Sequence, residues 1–139
     1  MSAGTPADFV YNNARTMFAT AALNWTTAAI NAMFVSSDYA PLLTDQYVSD
    51  IPASAIILRD YALTNLGVKD GVCYGVVPEI TGILSAYTVT AMVLYAKGAT
   101  DAASPLIYYT SSGYGFPFPV QGFDYYVGFD QANGGFFQV

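Results

Sequence analysis

Phe123-Asp124-Tyr125-Tyr126-Val127-Gly128-Phe129-Asp130 is the stretch that decides how this chain is read. Its odd positions are Phe, Tyr, Val and Phe; its even positions are Asp, Tyr, Gly and Asp. Side chains alternate faces along a strand, so the segment has one apolar face and one wet face. As a helix it would set the two aspartates on a mixed face and carry Gly128 in its interior. Gln131-Ala132-Asn133-Gly134-Gly135 follows, rich in residues that tolerate the positive φ of a tight hairpin turn. Phe136-Phe137-Gln138-Val139 then reads as a returning strand, so the chain is expected to end inside a sheet.

Moving upstream, Tyr87-Thr88-Val89-Thr90-Ala91-Met92-Val93-Leu94-Tyr95-Ala96 is dense in β-branched and aromatic residues. Both of its faces are largely apolar. That pattern belongs to a central strand covered on two sides, or to one covered on one side by a partner molecule. Residues 97–101 read as a turn, and Pro105 suits the first residue of a strand over Leu106-Ile107-Tyr108-Tyr109-Thr110. Phe116-Pro117-Phe118-Pro119 lacks alternate N–H donors and is excluded from a sheet centre. Residues 111–122 are therefore expected to form an exposed connection or an edge.

The front of the chain has a different period. Residues 1–5 read as a loose leader. Pro6 and Asp8 suit a helix start, through tolerance of Pro in the first turn and the positive end of the helix dipole. Phe9, Val10, Ala14, Met17, Phe18 and Ala21 recur at steps of three and four, predicting a helix over residues 6–23 with one apolar stripe. Residues 24–27 read as the turn out of it. Strands are predicted over residues 28–36, 56–63 and 72–77. Residues 37–41 punctuate the first, residues 42–52 read as an ordered loop, and residues 64–71, with Asn65, Gly67 and Asp70-Gly71, read as another loop. The fold class expected is mainly β: an antiparallel, jelly-roll-like β-sandwich over residues 28–139 with one N-terminal α-helix, all in a single domain of 139 residues.

Composition excludes several classes of function. Hydrophobic residues make up 54% and charged residues 10%, which argues against a disordered chain. Net charge is −6, and Arg15, Arg59, Lys69 and Lys97 are the only cations, too few for the basic footprint of a nucleic-acid binder. Residues 16–37 carry no charge and are long enough to span a bilayer, but Asn24, Asn31 and several threonines interrupt them and basic anchors are missing. Residues 80–96 are also uncharged, yet contain Gly82 and Ser85 and alternate like a strand. No membrane segment is expected from either run, and no basic region precedes an apolar one in the manner of a secretory signal. Cys73 is the only cysteine, so no internal disulfide can form, and it reads as a small buried apolar residue.

Reactive chemistry is equally sparse. The chain has no His, which removes the commonest general base and metal ligand together with Ser-His-Asp and Cys-His nucleophiles. No Gly-rich phosphate loop with a following Lys is present. One Cys without His does not make a zinc site. Asp124 and Asp130 share a strand face but stand roughly 20 Å apart along it, too far to act as a glycosidase pair. Asp130 with Asn133 beside two glycines is a weak match to a calcium loop, better read as a turn satisfied by its own side chains. No catalytic residue, metal or cofactor is expected. Aromatic residues reach 16%, with twelve Tyr and nine Phe, more than one core of this size hides. Some can sit half-wet on strand faces. The reading preferred here gives a good part of them to contacts with other subunits. Phe9 and Phe18 in the helix, and Tyr114, Phe116 and Phe118 in the connection, are the candidate interface residues.

A series of landmarks in chain order resembles a family of small virion proteins of tailed bacteriophages. A short helix containing Asn13-Ala14-Arg15 leads into a strand ending Ser36-Ser37-Asp38-Tyr39-Ala40-Pro41. Val48-Ser49-Asp50-Ile51-Pro52 and Asp70-Gly71-Val72 follow, then Ile80-Thr81-Gly82 and the strand end Val93-Leu94-Tyr95-Ala96-Lys97-Gly98. Ser104-Pro105-Leu106-Ile107 and the terminal Asp130-Gln131-Ala132-Asn133-Gly134-Gly135 complete the series. The second half is more aromatic than the family pattern, and residues 116–119 have no counterpart in it. The resemblance implies a capsid decoration, or cement, protein on the outer surface of the virion. Its partners would be the major capsid protein and other copies of itself, as a dimer or trimer, and it would bind neither nucleic acid nor membrane. The alternative is a tail- or fibre-associated virion protein whose aromatic loop around residues 114–120 binds a partner protein or a host glycan.

Overall fold

A computed structural model describes residues 8–78 and 88–111, and the backbone of residues 118–119 and 137–138. In chain order the elements are β1 (Asp8–Val10), α1 (Asn12–Ala19), β2 (Ile30–Val35), β3 (Ile56–Ala62), β4 (Thr64–Lys69), β5 (Val72–Val76), β6 (Thr88–Val89), β7 (Ala91–Ala96), β8 (Leu106–Thr110), β9 (Phe118–Pro119) and β10 (Phe137–Gln138). Single 3-10 turns lie at Val48–Asp50, Ala53–Ala55 and Asp101–Ala103. The fold is mainly β, sandwich-like, with antiparallel sheets and one N-terminal helix. Among the described residues no sheet closes into a barrel.

The principal sheet has the strand order β1-β8-β7-β2-β3. At its centre β2 and β7 pair without interruption from Ile30↔Ala96 to Val35↔Ala91. Every residue of both strands is buried, so each is covered on its two faces by this chain itself. Helix α1 packs on β8. The loop between β2 and β3 is ordered by its own polar groups. Tyr39 Oη donates to Asp45 Oδ2 (2.8 Å), which also accepts the Leu42 N–H (3.0 Å). Asp50 Oδ2 accepts the N–H groups of Gln46 (2.8 Å) and Tyr47 (3.1 Å). Tyr11 Oη meets Tyr39 Oη at 2.9 Å, so both buried phenols are satisfied, and burial pushes the pKa of each well above its ordinary value.

The chain leaves the principal sheet through Leu63, whose N–H bonds to Ile30 O (2.9 Å), and continues as β4. A second sheet has the order β10-β5-β4, and β6 pairs with β9 in a short ribbon. Asp70 (φ 52°) and Gly71 (φ 78°) form the two-residue turn of the β4–β5 hairpin, the mirror-image geometry that matches strand twist. Gly67 stands opposite Tyr74, and a Cβ there would run into the Tyr74 ring, which covers the glycine.

Three expectations need correction. The helix covers Asn12–Ala19, not residues 6–23: Phe9 and Val10 fit a helical stripe equally well, but they pair with Tyr109 and Tyr108 as β1. Residues 64–71 form β4 and a tight turn where a loop is expected, because pairing with β5 and the Tyr74 ring compensate for Gly67. The strand expected over residues 87–96 breaks at Thr90, whose N–H turns to Val35 O (2.8 Å), leaving β6 and β7 in separate sheets. Residues 118–119 pair as β9 at Thr88↔Pro119 and Val89↔Phe118, an edge strand, which agrees with the expectation for residues 111–122. The strands over residues 28–36, 56–63, 72–77 and 106–110 match β2, β3, β5 and β8 within two residues at each end. The strand over residues 123–130 lies outside the described residues. Of the runs weighed as membrane spans, residues 16–37 hold the end of α1 and all of β2. Among the described residues no helix is long and apolar enough to cross a membrane.

Helix α1 ends in a reciprocal pair of bonds: Ala22 N–H to Met17 O (2.8 Å) and Ala21 N–H to Phe18 O (3.2 Å). Ala21 occupies the left-handed position at φ 61° that glycine ordinarily takes. Ala21→Gly is expected to raise stability by about 1 kcal/mol by removing the Cβ clash, read as a higher midpoint in urea unfolding. A lower midpoint contradicts this account of the helix end.

Candidate interaction surface

The left-handed Ala21 turns the chain away from α1 and lays residues 21–25 against the β4–β5 hairpin. Asn24 Oδ1 accepts the Thr26 N–H (3.1 Å) and the Thr26 hydroxyl (2.8 Å), fixing the turn with its own side chain. Trp25 is buried, and its indole Nε1–H donates to Tyr74 O (2.9 Å). This places the only tryptophan of the chain beneath β5. The result is a groove of about 330 Å³ lined by Phe18, Ala21, Leu23, Asn24, Trp25, Val68 and Cys73. Val68, 45% exposed, and Leu42 are the large hydrophobic residues left to solvent among those described.

The polar groups that line the groove are neutral or already engaged. Cys73 faces Val68 across the hairpin, and burial pushes its thiol up to about 11, so it is uncharged at neutral pH and a poor nucleophile. The indole N–H and the Asn24 carbonyl are already engaged. Among the described residues no group of three His, Cys, Asp or Glu side chains is placed to hold a metal ion.

The second polar feature lies on β3. Asp60 adopts φ 66° within a bulge, and its N–H donates to Tyr95 Oη (3.0 Å). Tyr95 Oη in turn donates to Asp60 Oδ1, and Lys97 Nζ approaches the same oxygen at 2.8 Å. Arg59 holds Asp101 through both terminal nitrogens (3.2 and 2.7 Å). Burial pushes the Asp60 carboxyl up, but the bonds from Lys97 and Tyr95 and the charges of Arg59 and Lys97 outweigh it, leaving the carboxyl at about 2. Burial and the bond to Asp60 push the Tyr95 phenol up to about 12. The Asp101 bond holds Arg59 protonated above its ordinary range.

Of the five candidate interface residues, one belongs to the groove. Phe18 lines it, half-buried. Phe9 is a correction: it is 6% exposed, stacked on Tyr109 at 5.3 Å and edge-on to Tyr11 at 4.9 Å, and so belongs to the core. Tyr114 and Phe116 lie outside the described residues. The Phe118 backbone pairs with Val89, and its side chain is also outside the description. Trp25 and Val68 escape the sequence reading as residues lining the groove, whereas Cys73 is buried, as expected. The Asp70-Gly71 dipeptide between Val68-Lys69 and Val72-Cys73 is the hairpin signal that sets Val68 opposite Cys73. Nothing local in the sequence brings Phe18 and Trp25 to that hairpin.

Comparison with known proteins found no matching family model, no matching curated protein and no matching solved structure.

The depressed Asp60 pKa fixes the sign of a pH effect. Its stabilisation is complete above the ordinary carboxylate value of 3.8 and is lost as pH falls toward about 2. At 41% side-chain exposure, screening limits the contribution to less than ~1 kcal/mol. Asp60→Asn is therefore expected to lower stability modestly at pH 7 and to flatten the acid limb of the stability curve. Urea midpoints of the two proteins measured from pH 7 to pH 2 check this; parallel curves contradict it.

Proposed function

We propose that this chain is a structural virion protein: a phage capsid decoration protein that binds neighbouring major capsid subunits by apolar contact. The observation that supports this best is the groove of Phe18, Leu23, Trp25 and Val68. Phe18 and Val68 leave apolar surface at its rim above the buried Leu23 and Trp25, and the Trp25 indole and Asn24 side chain are already engaged. Aromatic anchors seated in such hollows are the usual source of protein–protein affinity. The virion assignment itself comes from the ordered landmarks of the sequence. On this reading the protein acts without catalytic residue, metal or cofactor, sits on the outer capsid surface, and assembles with further copies of itself as a dimer or trimer. Repetition over a capsid lattice lets modest individual contacts sum to a stable shell.

The test uses phage particles and purified protein. Particles stripped of this protein are expected to lose resistance to heating and to regain it when the protein is added back. Val68→Asp places a charge at the groove rim and is expected to weaken rebinding about tenfold or more while leaving the fold intact. Emission from the lone Trp25 should shift when the groove is covered. A few copies per particle, confined to the tail, would favour the tail- or fibre-associated reading. No attachment to any particle overturns both.

A further inference from the structure

We infer that the Arg59–Asp60 bulge of β3, with Tyr95 and Lys97, is an edge guard that denies the outer side of the principal sheet to a second copy of this chain. Strand β3 is the outer strand of that sheet among the described residues. A bare antiparallel edge is self-complementary about a two-fold axis, so its natural partner is the same strand of another copy. This edge is not flat. The β3 residues Ile56–Ala62 oppose only Asn31 to Val35 of β2, and the register shifts twice, opposite Met33 and between Phe34 and Val35. Each extra residue bends the strand and disturbs its ladder.

The upper bulge is held by side chains that reach it across the sheet. Tyr95, two strands away on β7, accepts the Asp60 N–H and donates back to its carboxylate. Lys97 fixes the same oxygen, and Arg59 is drawn off to Asp101. The Asp60 N–H is thereby turned toward a side chain and withheld from an incoming strand. An added strand would also meet a cluster of four charged groups, with side-chain exposures from 29% to 48%. One outer strand of the second sheet carries comparable features. Strand β4 has an irregular register between Thr64 and Gly67 and ends at Lys69. The inference does not rest on the virion reading, because it concerns the purified chain alone.

Two variants test it. Arg59→Thr with Asp60→Val removes the charges and puts a β-former where φ is positive, favouring a flat strand. Tyr95→Phe keeps the ring and removes the hydroxyl that anchors the bulge, with less risk to folding. Sedimentation velocity over a range of concentrations, at moderate salt, measures self-association, and circular dichroism with urea unfolding confirms the fold. The double variant is expected to associate about tenfold or more tightly than the wild type, with Tyr95→Phe in between. A folded double variant that associates as the wild type does overturns the guard. If the double variant does not fold, wild-type association by folded Tyr95→Phe overturns it.

Discussion

Two adjacent strands with no wet face set the terms for the rest of this molecule. Ile30–Val35 and Ala91–Ala96 pair through their whole length, and all twelve residues are buried. A half-buried strand needs one covering layer; these need two. Each large apolar side chain withdrawn from water contributes roughly 1.5–3 kcal/mol, so leaving either face open would forfeit much of a marginal stability. Helix α1 packs on β8, the neighbour of β7 in the same sheet. The polar networks of Tyr11, Tyr39 and Asp45, and of Asp50, stiffen the ordered loop from which Tyr39, Val48 and Ile51 are buried in the same core. Among the described strands the charged side chains stand on outer ones: Asp8 on β1, Arg59 and Asp60 on β3, and Lys69 on β4.

What could be read from the sequence followed the range of the interaction that decides each element. Strand β8 is legible because Pro105 marks its start and its five residues are uniformly β-prone. The two-faced apolar character of β7 is legible as a need for double cover. The helix start is not, because Phe9 and Val10 satisfy helical and strand periods alike, and the choice falls to Tyr109 and Tyr108 a hundred residues away. Strand β4 is hidden for a related reason. Gly67 and Asn65 speak for a loop until the Tyr74 ring and the hairpin register are known. Phe18 is legible as a candidate contact residue and Cys73 as a buried one, whereas Trp25 and Val68 come to line one groove only once the Schellman-type end of α1 has turned the chain onto the hairpin.

The distribution of polar groups gives the two surface features opposite characters. At β3 the backbone is kinked, charged and tied down, which suits a boundary. At the groove the Trp25 indole N–H and the Asn24 side-chain carbonyl are already engaged and the thiol is neutral, which suits side-chain contact with an apolar partner. A protein that must meet one partner in quantity without joining its own copies edge to edge needs both: an apolar hollow that is available and sheet edges that are not. That division is what links the packed β body to the proposed place on a capsid.

Electron cryomicroscopy of the intact phage particle, at a resolution that traces chains, tests the central claim most directly. The account predicts many copies on the outer surface of the head, with capsid residues seated against Phe18, Trp25 and Val68. Particles lacking the chain on the head, or copies there with this groove facing solvent, would contradict it.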